Sequence, residues 1–192
     1  MNKNRIAIFA SGSGTNAQKI FEYFENHDKV EVVLLLCNKT EAGVLERAKN
    51  FDIPTFNFSR EQFYNTQSVL HTLKKFKVDA IALAGFMWLI PTYLVEAFPN
   101  KIVNIHPALL PKFGGKGMYG MHVHEAVKAA GESETGITIH LVNEYYDEGS
   151  ILAQFSCRIE PNDSPDEIAR KVQVLEHENY AKVIENLVLN KF

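Results

Sequence analysis

At 192 residues the chain is long enough for one well-cored domain and short for two. Its 46% hydrophobic and 22% charged residues place it outside the disordered and fibrous classes. A net charge of -3 argues against a general nucleic-acid binder and leaves room for a small anion in a local site.

The first predicted strand is Arg5 to Ala10, and Ala17, Ile20, Phe21 and Phe24 then mark one face of an amphipathic helix. Between them stands Ser11-Gly12-Ser13-Gly14-Thr15-Asn16-Ala17, whose backbone N–H groups can converge on an anion at the helix N-terminus. The same letters imitate a dinucleotide fingerprint. That reading needs a carboxylate after the second strand, where the chain has Cys37-Asn38-Lys39, so a phosphate cradle fits better.

Further strands are predicted at Val32 to Cys37, Pro54 to Phe58, Ala80 to Ala84 and Ile102 to His106, with helices near 43–50, 61–76 and 91–97. Such alternation defines an α/β fold with a doubly wound, mostly parallel sheet. Gly85-Phe86-Met87-Trp88-Leu89-Ile90-Pro91 places bulky apolar groups where this fold has its ligand crevice. They serve either as core or as walls of a slot for a flat heteroaromatic ring.

Asn104 and His106 close the fifth strand as alternate residues, which point the same way. Pro107 and Pro111 stiffen the exit. An amide donor beside an imidazole suits a reaction in which an oxygen gains charge while a proton moves. The imidazole needs an orienting carboxylate, for which Asp147 is the leading candidate, ahead of Asp79 and Glu144.

Lys112 to Met121 carries four glycines without periodicity and is expected to be an irregular loop. His122, His124 and His140 lack the spacing of a zinc site, and no metal is expected. Gly136 to Val142 and Ile151 to Ile159 are joined closely enough to form an antiparallel pair. A closing helix spans about Pro165 to Leu189, capped by Asp163 or Ser164, with Ile168, Val172, Leu175, Val183 and Leu187 facing inward. Cys37 and Cys157 lie in apolar runs where buried, reduced thiols are expected, which favours the cytoplasm. No window reaches the ~18 apolar residues of a membrane span, and Met1 to Arg5 lacks the apolar stretch of a signal peptide.

Taken together, Ser11 to Asn16, Leu83-Ala84-Gly85-Phe86-Met87, Asn104-Ile105-His106-Pro107, His122-x-His124, Gly136-x-Thr138-x-His140 and the Asp147 turn resemble the phosphoribosylglycinamide formyltransferases. The resemblance implies a Rossmann-like formyltransferase fold as a single domain over residues 1–192, with an antiparallel C-terminal portion. It implies formyl transfer from 10-formyltetrahydrofolate to the amine of glycinamide ribonucleotide in purine synthesis. The partners would be those two small molecules, with no nucleic acid and no membrane.

Carried over by resemblance, Asn104, His106 and Asp147 are catalytic. Gly14, Thr15 and Asn16 would bind the ribosyl phosphate, and Glu176, within Gln173-x-x-Glu176-His177, the ribose or glycinamide portion. Arg60, Met87, Trp88, Leu89, Ile90 and Asn104 would contact the folate, with Trp88 standing where bacterial relatives commonly carry Arg. The expected mechanism is direct attack through a tetrahedral intermediate, with Asn104 and a protonated His106 donating to the oxyanion. Asn-x-His-Pro also occurs in formyltransferases with other amine acceptors, an amino sugar or aminoacyl-tRNA. The aminoacyl-tRNA enzymes normally add a C-terminal domain, and the related deformylases an N-terminal one, which this length does not accommodate.

Overall fold

The computed structural model describes residues 3–191. Residues 1, 2 and 192 lie outside it, and with them the first two positions of the Met1 to Arg5 segment. Seven strands form one sheet: β1 (Asn4–Ala10), β2 (Val30–Cys37), β3 (Thr55–Asn57), β4 (Ala80–Leu83), β5 (Ile102–His106), β6 (Glu134–Leu141) and β7 (Ile151–Arg158). Their spatial order is β3-β2-β1-β4-β5-β6-β7. The first five run parallel, whereas β5–β6 and β6–β7 are antiparallel, as the short Asn143 to Ser150 link permits.

The helices are α1 (Thr15–Phe24), α2 (Gly43–Asn50), α3 (Arg60–Tyr64), α4 (Ser68–Lys75), α5 (Thr92–Ala97), α6 (Met121–Ala129) and α7 (Pro165–Val188). Period-two alternation in β1 sends Ile6 and Ile8 into the core shared with α1, α6 and α7, and Ala7 and Phe9 into the opposite core with α3 to α5. Ala17, Ile20, Phe21 and Phe24 are the buried face of α1. The helix expected over 61–76 is two helices. Asn65 ends α3, and Thr66 Oγ1 accepts from the Ser68 N–H at 3.2 Å, a local bond that competes with a continuous helical ladder.

Ser164 caps α7 in a reciprocal box with Glu167, and Pro165 occupies the first turn. Tyr180 is the anchor that periodicity alone passes over. Its hydroxyl lies 2.9 Å from the Leu83 carbonyl and 3.1 Å from that of Val103, pinning α7 to β4 and β5. Leu175 is only partly buried. Both cysteines are free; Cys37 is buried, but Cys157, on the edge strand β7, is only partly so. Among the described residues no helix is long and apolar enough to cross a membrane.

Candidate active site

The chain lays β1, β2 and β3 outward in one direction, then returns to place β4 on the other side of β1. Open α/β sheets bind ligands beyond the carboxyl ends of the strands at such a switch. A cleft of about 850 Å³ opens there. Its walls are the turn after β1, the Gly85 to Ile90 segment after β4, the end of β5, the loop over 115–121, residues 145–147 and one face of α7. Ser11 ties the first two together: its N–H donates to the Gly85 carbonyl at 3.2 Å, and its hydroxyl accepts from the Met87 N–H at 3.4 Å.

At the floor, the antiparallel register sets Asn104 opposite His140 and His106 opposite Thr138. Gly136 admits β7 closely, since a Cβ there would lie 2.8 Å from Ser156 Cα and collide with the Phe155 carbonyl oxygen. Thr138 Oγ1 donates to the Ala108 carbonyl at 2.7 Å and accepts from the Leu110 N–H at 2.9 Å, fixing the turn after His106. His140 Nδ1 lies 2.8 Å from the Leu141 carbonyl, which can only accept, so that nitrogen carries the proton. Nε2 is then an acceptor, and Asn104 Nδ2 donates to it at 3.1 Å. One amide N–H of Asn104 is thereby engaged, and the other is left for a ligand.

His106 Nε2 donates to the Phe113 carbonyl at 2.8 Å, and Nδ1 faces Asp147 Oδ2 at 3.4 Å. The same Oδ2 accepts from the Gly115 N–H at 2.9 Å, while Oδ1 lies 3.6 Å from His140 Nε2. Asp147 sits at φ 59°, a left-handed conformation that aspartate tolerates better than most residues. Burial pushes its carboxyl upward, but the neighbouring His140 and His106 rings and the Gly115 N–H together hold it below the ordinary carboxylate range. For His106, burial is the largest influence and lowers its pKa; Asp147 and the Phe113 carbonyl oppose it without winning. The expectation is of a standing imidazolium; burial works against it, and the carboxylate 3.4 Å away works for it. Nε2 carries a proton in either form, since the Phe113 carbonyl can only accept, and Nδ1 is the position that exchanges one beside Asp147. The weaker carboxylate candidates are elsewhere: Asp79 accepts the Arg5 backbone N–H at 2.8 Å at the far end of β4, and Glu144 is exposed.

At one end of the cleft the glycine turn contributes Ser11, Gly12, Ser13 and Asn16 to the wall, while Gly14 and Thr15 lie outside it. Gly14, at φ 78°, lets α2 approach; a Cβ would sit 2.9 Å from Val44 Cα and collide with the Val44 side chain. Thr15 Oγ1 accepts from Gln173 Nε2 at 3.4 Å. Asn16 Nδ2 donates to Glu176 Oε2 at 2.9 Å, and its buried Oδ1 finds no donor among the described residues. Burial raises the Glu176 carboxyl above its ordinary range against the opposing Asn16 bond. At the other end Met87, Trp88, Leu89 and Ile90 line the cleft, and Arg60 stands beside Trp88 outside the lining.

The H-x-H pair is split across α6: His122 is exposed near Glu125, whereas His124 is buried, lines the cleft, and has an Nδ1 without a partner among the described residues. Among those residues no group of three or more His, Cys, Asp or Glu side chains is gathered to hold a metal. The sequence offers His140 as a metal-ligand candidate and as part of the Gly136-x-Thr138-x-His140 segment, and neither reading places it beside Asn104. The alternate spacing of Gly136, Thr138 and His140 was the available signal, since it marks one face of a strand.

A doubly wound sheet with an Asn-His-Asp cluster in its switch-point cleft is the architecture of a group-transfer enzyme of the formyl transferase type. Residues 4–184 match the family model described as formyl transferase, and the chain belongs to that family. It is 44% identical, over 95% of its length, to the chloroplastic phosphoribosylglycinamide formyltransferase of Arabidopsis thaliana, of which it spans 64%. To the phosphoribosylglycinamide formyltransferase of Bacillus subtilis it is 40% identical, covering 96% of this chain and 94% of that one. The solved structure of glycinamide ribonucleotide transformylase 1 from Geobacillus kaustophilus superposes with a TM-score of 0.88 at 39% identity, covering 97% of this chain and 100% of the other.

Proposed function

We propose that this chain acts as one domain that transfers the formyl group of 10-formyltetrahydrofolate to the amine of glycinamide ribonucleotide, yielding N-formylglycinamide ribonucleotide and tetrahydrofolate. The observation that carries this is one cleft holding Asn104, His106 and Asp147 between a glycine turn and an apolar slot. The relatives' shared name supports the acceptor. The turn of Ser11 to Asn16 suits the ribosyl phosphate, Glu176 the ribose or glycinamide portion, and Met87 to Ile90 the pterin ring. Two free cysteines suit a reducing compartment such as the cytoplasm.

As the amine nitrogen bonds to the formyl carbon, the carbonyl oxygen takes up negative charge, and the free N–H of Asn104 donates to it. The nitrogen must shed a proton. The Nδ1 lone pair of His106 receives it, directly or through a water held by Asp147, and the new imidazolium then pairs with that carboxylate. Collapse of the tetrahedral intermediate breaks the bond from carbon to the folate N10, which takes up the proton that the His106 imidazolium gives back, directly or through the same water. Proximity of the two bound reactants supplies much of the acceleration.

The test is an assay of the purified chain with 10-formyltetrahydrofolate and, in turn, glycinamide ribonucleotide, an amino sugar and an aminoacyl-tRNA. Turnover with the ribonucleotide alone is expected. Preference for another acceptor overturns the assignment.

A further inference from the structure

Beyond the ends of β2 and β3 lies a second cavity of about 780 Å³, whose walls include Asn38, Lys39, Thr40, Glu41, Asn57 and Ser59. The formyl-transfer chemistry uses none of these side chains. Ser11, Gly12, Ser13 and Lys39 line both this cavity and the cleft, so the two hollows meet at the glycine turn. Hydrogen bonds tie the walls together. The Phe58 N–H donates to the Cys37 carbonyl at 3.1 Å, Asn57 Nδ2 to the Lys39 carbonyl at 3.2 Å, and the Val44 N–H to the Gly12 carbonyl at 3.2 Å.

Two opposite charges stand on this wall, both exposed, and among the described residues neither Lys39 nor Glu41 enters an ion pair. In open α/β sheets a carboxylate beyond the second strand takes ribose hydroxyls, while the turn after the first takes phosphate. Cys37-Asn38-Lys39 supplies no carboxylate. The structure brings Glu41, two residues further on, to the same wall. The turn thus has a hollow on either side, each of a volume that suits a small ligand.

We propose that the second cavity binds a nucleoside 5′-monophosphate, with its phosphate on the Ser11 to Ser13 turn beside Lys39, its ribose hydroxyls on Glu41 and its base toward Asn57 and Ser59. One phosphate seat then serves two cavities in alternation. A nucleotide bound on the β2–β3 side excludes glycinamide ribonucleotide from the seat and leaves the apolar slot open. That competition rests on the function proposed above; the binding itself does not.

The test measures binding of adenosine 5′-monophosphate to the full chain by calorimetry, with its 2′,3′-dideoxy analogue and adenosine as controls. The monophosphate is expected to bind about tenfold or more tightly than either control, the scale of one charged hydrogen bond. E41Q should collapse the ratio to the dideoxy analogue and keep the ratio to adenosine. T40W, which puts a large group at an exposed position of the wall, should abolish binding while turnover of glycinamide ribonucleotide persists. In turnover the monophosphate should raise the apparent KM for the ribonucleotide without lowering kcat. Absence of binding overturns the proposal, and so does binding that T40W leaves intact, because the nucleotide then sits in the cleft. A kcat lowered at saturating ribonucleotide overturns the shared seat. A chain that binds the monophosphate as expected yet does not turn over the ribonucleotide defeats the function reading and leaves the nucleotide site standing.

Discussion

Asn104 owes its orientation to a histidine that donates elsewhere. Because the Leu141 carbonyl takes the His140 Nδ1 proton, Nε2 can only accept, and the Asn104 amide is turned toward it. Removing the amide by N104A should lower kcat by about 10² to 10³, the usual loss for one oxyanion donor, with the circular-dichroism spectrum unchanged. H106A and D147N should each be severe yet far from multiplicative in the double variant, since the pair handles one proton. A double variant showing the full product of the single losses contradicts that coupling. Glu176 supplies a pH test. Its folded pKa is raised, so as pH rises past the ordinary glutamate range the unfolded chain ionises first and gains relative stability. E176Q keeps an acceptor for Asn16 without that charge. Its Tm should match the unaltered chain at pH 4 and exceed it increasingly toward pH 7, measured by thermal unfolding.

At the scale of elements, the β5–β6–β7 register brings the floor of the cleft together, and Gly136 is a point of close approach within it. A methyl group there meets the Phe155 carbonyl and Ser156 Cα, so β7 must move away. G136A should cost about 1 to 3 kcal/mol, the range for inserting a methylene into a packed interior, read from denaturant midpoints at unchanged m. α7 is positioned by Tyr180 beneath Leu83 and Val103. Y180F leaves those carbonyls without the hydroxyl and should cost about 1 to 3 kcal/mol, the desolvation penalty of buried polar groups. The same helix carries Gln173 and Glu176, so the variant should also raise KM for the ribonucleotide, whereas a surface change on α7 should not.

For the whole molecule, both ends of the cleft are built from elements distant in sequence, and ligands that bridge them bind only the folded chain. Saturation with glycinamide ribonucleotide at about 100 times its Kd should add about 2.7 kcal/mol to stability, or roughly 5 to 11 °C in Tm for a chain of this size. A Tm unmoved by the ribonucleotide argues against its binding in the cleft. The elements were largely legible: α1 shows its stripe of Ala17, Ile20, Phe21 and Phe24, and β5 its bounds, because periodicity and proline act locally. The division of 61–76 into two helices was not, since it turns on side-chain bonds of Thr66 and Ser68 that periodicity does not register.

By itself the sequence determined the strands and helices, the glycine turn, and the alternation that sets Asn104 and His106 on one side of β5, because each follows from the covalent geometry of neighbours. Only the tertiary structure decided that His140 sets the Asn104 amide, that Gly14 admits α2, and that His106 is buried beside Asp147. Those depend on register, close approach and burial, which arise when distant segments meet and exclude water.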